Sequence, residues 1–90
     1  MTNTDLARKL TAAGFTHDGF NSNNAWGFGG AIGDRYTSPN GNVVVKIATA
    51  YCRHLPPQGF ITVTVAGRRV YDEPRGPSSD HTRAFNLATA

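Results

Sequence analysis

Ser38-Pro39-Asn40-Gly41-Asn42-Val43-Val44-Val45-Lys46-Ile47-Ala48-Thr49-Ala50-Tyr51-Cys52 is the stretch that decides how this 90-residue chain folds. It opens on a turn, since proline presets φ and Asn-Gly supplies the positive φ values that tight turns need. From Val43 onward the residues alternate. Val43, Val45, Ile47, Thr49 and Tyr51 make a larger face, and Val44, Lys46, Ala48, Ala50 and Cys52 a smaller one. That is the period of an extended chain, and the stretch reads as a central strand entered from a hairpin.

On the C-terminal side, Leu55-Pro56-Pro57-Gln58-Gly59 reads as a loop, because adjacent prolines remove two backbone donors. Phe60 to Ala66 alternates again, with Ile61, Val63 and Val65 opposed by Thr62 and Thr64, a half-buried strand with a wet side. Gly67 is expected to make a bulge or a turn before Val70 and Tyr71. On the N-terminal side, Trp26, Phe28, Ile32 and Tyr36 share the even positions while Gly27, Gly29 and Gly33 take odd ones. Glycine excludes a helix there and predicts a bent or bulged strand. Phe15 to Phe20 is a further short strand, ended by the turn-forming run Asn21-Ser22-Asn23-Asn24.

Two amphipathic stretches flank these strands. Leu6 and Leu10, with Ala7 and Ala13 beside them, form a narrow apolar stripe that predicts a helix over Thr2 to Ala13. Thr2, Asn3 or Thr4 can cap it, Asp5 and the pair Arg8-Lys9 match its dipole, and Gly14 can close it in the left-handed conformation. After Tyr71, the run from Asp72 to Asp80 holds Pro74, Gly76, Pro77, Ser78 and Ser79, which is linker chemistry. Asp80 can then cap a short helix through Ala84, Phe85, Leu87 and Ala88. The expected architecture is an α+β domain over residues 1–71, with an antiparallel sheet of three to four strands and the first helix on one face. Residues 72–90 are expected as a linker and a short C-terminal helix or tail.

Composition bounds the function. Leu, Ile, Val and Phe together number 18, so the core is thin, and Cys52 is the single cysteine, which excludes an internal disulfide and a multi-thiolate zinc site. The fold must rely on packing or on a partner subunit. No apolar run approaches membrane-spanning length and no secretory signal is visible, so a cytoplasmic protein is expected.

Motifs for chemistry are sparse. The glycine cluster does not meet G-x-G-x-x-G, since position 32 is Ile, and no Gly-Lys-Ser/Thr follows. Cys52 and His54 share one strand face at a separation too long for a thiolate–imidazole couple. His17, His54 and His81 are scattered, two of them beside an aspartate, Asp18 and Asp80, without metal-ligand spacing. No catalytic residue, metal or cofactor is therefore expected. Trp26, Phe28 and Tyr36, aromatic anchors on a glycine-bent backbone, point to protein binding or self-association. The alternative is a nucleic-acid patch of Arg53, Arg68, Arg69 and Arg83, with Asp72-Glu73 weakening its pull on phosphate.

The Leu-x-x-x-Gly-Phe run from Leu10 to Phe15, in a helix–three strands–helix order, resembles HicA-type toxins and, by topology, double-stranded-RNA-binding domains. The first resemblance implies a ribonuclease with a histidine opening a strand, but Asn21 to Trp26 holds none. The second implies a lysine cluster at the last helix, where this chain offers His81 and Arg83. Arginine over lysine with abundant Ala, Gly and Thr is similar to small phage proteins of high-GC bacteria, which implies an accessory protein acting on a host factor.

Overall fold

The computed structural model describes residues 2–23, 29–52, 55–74 and 78–90. Along the chain these form helix α1 (Asn3–Ala12), strands β1 (Thr16–Asn23), β2 (Gly29–Thr37), β3 (Val43–Cys52), β4 (Leu55–Val65) and β5 (Arg68–Pro74), and helix α2 (Ser78–Thr89). The strands pair antiparallel in chain order, a meander with β3 at its centre. The class is α+β as expected, but the sheet has five strands rather than three to four.

Two local devices account for the difference. Residues 66 and 67 form a two-residue hairpin turn, with φ of 52° at Ala66 and 80° at Gly67, the left-handed pair that matches strand twist. Val65 then faces Arg68, and the segment to Pro74 becomes β5, with a register shift at Val70. The prolines expected in a loop lie instead within β4. Ala50 faces Gln58 and Cys52 faces Leu55, so Pro56 and Pro57 together oppose the single residue Tyr51. Such a bulge is where a strand tolerates missing donors.

α1 is built as its sequence suggests. Thr2 accepts from the Asp5 amide while the Asp5 carboxylate accepts from the Thr2 amide, a reciprocal cap. At the other end Phe15 N–H reaches the Leu10 carbonyl and Gly14 N–H that of Thr11, with Gly14 at φ 93°. The hairpin before β3 closes through Gly41 N–H to the Ser38 carbonyl and through the Ser38 hydroxyl, which accepts from the Val43 amide.

Both helices lie on one side of the sheet. Tyr36, Val45, Val63 and Tyr71 stand in one cross-strand row and Ile47 and Ile61 in the next. All six are buried with Leu6 and Leu10 of α1 and Ala84 and Ala88 of α2. Each fully buried leucine contributes about 1.5 to 3 kcal/mol. Of residues 72–90, expected as a linker and a short C-terminal helix or tail, 72–74 end β5 and 78–89 form a helix that docks on the sheet. His81 at the start of α2 bonds Asn3 at the start of α1, Nε2 to Oδ1 at 2.7 Å, and the Lys9 ammonium lies over the Phe85 ring. Among the described residues no helix is long and apolar enough to cross a membrane.

Candidate functional site

Alternation puts the smaller face of β3 on the side away from the helices, and the register lines up its neighbours. One row across the sheet runs Phe20, Gly33, Ala48, Phe60, and the next runs Asp18, Arg35, Lys46, Thr62. A further row holds Thr37, Val44, Thr64 and Arg69. Phe20 and Phe60 are half-buried, and neither belongs to the buried cluster under the helices. They stand about 14 Å apart, three strand spacings, with only a glycine and a methyl group between them. The Lys46 ammonium lies 5.2 Å from the Phe20 ring centroid. Arg35 clasps Asp18 directly opposite it, Nε to Oδ1 at 3.1 Å and Nη2 to Oδ2 at 2.5 Å. That guanidinium holds the Asp18 carboxyl below the usual carboxylate range.

The helix side offers a second feature, a groove of about 390 Å³ between the first turns of α1 and the end of the sheet it leaves bare. His17 Nε2 lies 2.7 Å from Asp34 Oδ1, and the imidazole stacks on the Tyr36 ring with centroids 4.8 Å apart. The pair is diagonal across β1 and β2. Gly19, directly opposite Asp34, has no side chain to intervene. Thr4, Thr49 and the 47% exposed Ile32 complete the walls. Burial, and then the Asp34 charge, push the Tyr36 phenol upward. Chemically this is an oriented imidazole beside hydroxyls and an apolar floor. Among the described residues no three His, Cys, Asp or Glu side chains converge as metal ligands would.

The aromatic and basic residues marked from sequence fare differently. Trp26, Phe28, Arg53 and His54 lie outside the described residues. Tyr36 is 6% exposed and belongs to the core, because its position in β2 faces the helices. As part of the buried cluster it is not a surface anchor. Arg68 and Arg69 fall on opposite faces: Arg68 faces Val65 on the helix side and Arg69 faces Thr64 on the open side. Arg83 stands on α2 with its guanidinium 5.7 Å from the Tyr71 ring centroid. These three do not form one patch. Phe20, Phe60 and Lys46 were not marked, because their shared face emerges only when the register of three strand pairs is combined. The Ser38–Gly41 turn, which pairs Thr37 with Val44 and so Gly33 with Ala48, supplies one of those registers.

The chain matches no family model, no curated protein and no solved structure. The helix, five strands and helix seen here also differ from a helix–three strands–helix layout.

Proposed function

We propose that this chain is a small, non-enzymatic protein-binding module whose contact surface is the open face of its sheet. One observation carries the reading: both helices pack against the same side, leaving Phe20, Phe60, Val44 and Lys46 on a face that no element of the described chain covers. Aromatic side chains beside cationic stems on a rigid sheet are the residue types that anchor protein interfaces. A face whose Asp18 is clasped by Arg35, and whose described cations are few, suits a protein better than a polyphosphate. The compositional likeness to small phage proteins fits a role that consists of binding protein, a second copy of the chain or another one.

The test compares baits. Immobilised wild type and a helix-side control, Thr82→Arg, should retain the same protein from a nuclease-treated lysate, and Lys46→Glu should lose it. Capture that vanishes with nuclease, or that Lys46→Glu leaves intact, would count against this reading.

A further inference from the structure

The two central rows of the open face are complementary to each other in height. Across the strands from β1 to β4, one reads tall, short, short, tall: Phe20, Gly33, Ala48, Phe60. The adjacent row reads short, tall, tall, short: Asp18, Arg35, Lys46, Thr62. A two-fold axis lying in the plane between two stacked sheets, perpendicular to the strands and midway between these rows, lays the first row of one copy on the second row of the other. Phe20 then sits over Asp18 of the second copy, Gly33 over Arg35, Ala48 over Lys46 and Phe60 over Thr62. The same operation repeats every contact in reverse, as an isologous interface requires.

We propose that a second copy of this chain covers the open face, sheet against sheet with strands antiparallel, through this interlocking of rows. The proposal rests on the open face being the contact surface and names what occupies it. Interleaving tall and short side chains is how stacked sheets fill the roughly 10 Å between them. In this arrangement the aliphatic stems of Arg35 and Lys46 of one copy enter the space between Phe20 and Phe60 of the other. There the cationic heads meet ring faces rather than each other. In the single copy Lys46 makes such a contact with Phe20 of its own chain, and on docking it exchanges that ring for one of the second copy.

Area and charge agree with this occupant. Five strands and four rows make a face of about 500 to 600 Å², so two copies bury about 1,000 to 1,200 Å², the lower edge of specific interfaces. A reversible dimer in the micromolar range is expected. Across all five strands the two central rows hold Asp18, Arg35, Lys46 and Asp72, so their formal charges cancel and no net positive charge is left to hold a nucleic-acid backbone.

Sedimentation equilibrium across a concentration series provides the test. Wild type and Thr82→Arg should dimerise with the same constant, and Phe60→Glu should weaken it by about tenfold or more. Lys46→Glu, which shortens the aliphatic stem and reverses the charge at a half-buried position, should weaken it as well and guards against a folding defect in the first variant. Circular dichroism melts identify any variant that fails to fold. A wild type that stays monomeric at high micromolar concentration overturns the second copy. If Lys46→Glu still releases a captured protein in that case, the open face stands as a contact surface for another chain. A dimer equally tight in both open-face variants places the interface elsewhere and also overturns the proposal. So does a monomer that binds a single-stranded dodecanucleotide at low salt and loses it on Phe60→Glu.

Discussion

Gly33 and Ala48 face each other across β2 and β3 so closely that a β-carbon built on Gly33 would lie 2.6 Å from Ala48 Cα and 2.9 Å from its Cβ. The same carbon would fall 2.3 Å from the Ile47 carbonyl oxygen. These obstacles are backbone or attached directly to it, so no rotamer change removes them. The close approach helps to bury Ala48 and keeps the middle of the open face low between Phe20 and Phe60.

Gly33→Ala is therefore expected to destabilise the domain by about 1 to 3 kcal/mol, the usual cost of forcing extra volume into a packed site. Gly19→Ala is the control, because its β-carbon would meet only the Gly33 carbonyl oxygen at 3.7 Å, an ordinary contact. Urea denaturation of the two variants checks this. Equal midpoints for Gly33→Ala and wild type would show that β2 does not approach β3 so closely.

How far the fold could be read beforehand depended on the range of the interactions involved. The helix over Leu6 and Leu10 and its stop were legible because cap and closure are local. The Leu10-x-x-x-Gly14-Phe15 run that carries the likeness to HicA-type toxins is here a helix stop, in which Gly14 turns left-handed and Phe15 returns its N–H to Leu10. Any helix can end this way, so the run speaks for a fold element and not for a family. The fifth strand does not stand out because Ala66-Gly67 lacks the Asn-Gly signature, so Gly67 reads equally as a bulge or as the turn that it is. Pro56 and Pro57 misled because the bulge that excuses them depends on the partner strand. In the candidate sites, His17 and Asp18 are adjacent in sequence but do not meet. Neighbours on a strand point to opposite faces, so His17 joins Asp34 on one side and Asp18 joins Arg35 on the other.

Leu10→Ala tests the seat of α1. Leu10 is fully buried in the cluster that joins both helices to the sheet, and emptying such a position costs about 2 to 5 kcal/mol. Against the few kilocalories available to so small a core, the variant is expected to be unfolded or nearly so at room temperature. Thermal melting by circular dichroism decides the matter, since an unchanged midpoint would place the helix elsewhere.

Tyr36 should titrate late. Burial is the larger cause and the Asp34 carboxylate the smaller, and both hold the phenol protonated above its usual value of 10.0. The unfolded chain gives up that proton first as pH rises. The stability linked to Tyr36 is thus intact below the ordinary tyrosine range and declines as pH climbs through it toward the folded value. Phenolate absorbance should show one of the three tyrosines lagging. Asp34→Asn should bring it part of the way back, because burial remains. No movement in that variant would break the link between Asp34 and the Tyr36 ring.

At the acid end the sign reverses, and two carboxylates with different holders make the outcome separable. The Asp18 carboxyl lies below its usual value near 3.8 chiefly through hydrogen bonds from Arg35. Asp5 is lowered chiefly by hydrogen bonds from Thr2, backbone first and side chain second. For both groups the unfolded chain takes up the proton first as pH falls. Their contributions are therefore complete above the ordinary carboxylate range and are lost below it, as the depressed folded values are reached. Salt tells the two apart. Asp18 and Arg35 form a half-exposed ion pair that mobile ions screen, whereas the Thr2–Asp5 cap is a local hydrogen-bond exchange that they hardly touch. Urea midpoints followed from about pH 6 down to pH 2 should fall less steeply in Asp18→Asn than in wild type at low salt, with the difference shrinking in molar salt. Thr2→Ala should lower the neutral-pH midpoint at either ionic strength, because the hydroxyl that accepts from the Asp5 amide is gone, and should flatten the acid limb only in part, because the backbone N–H of residue 2, the larger cause, still bonds the Asp5 carboxylate. An Asp18→Asn profile that follows wild type at low salt would mean that Arg35 does not hold Asp18 across β1 and β2.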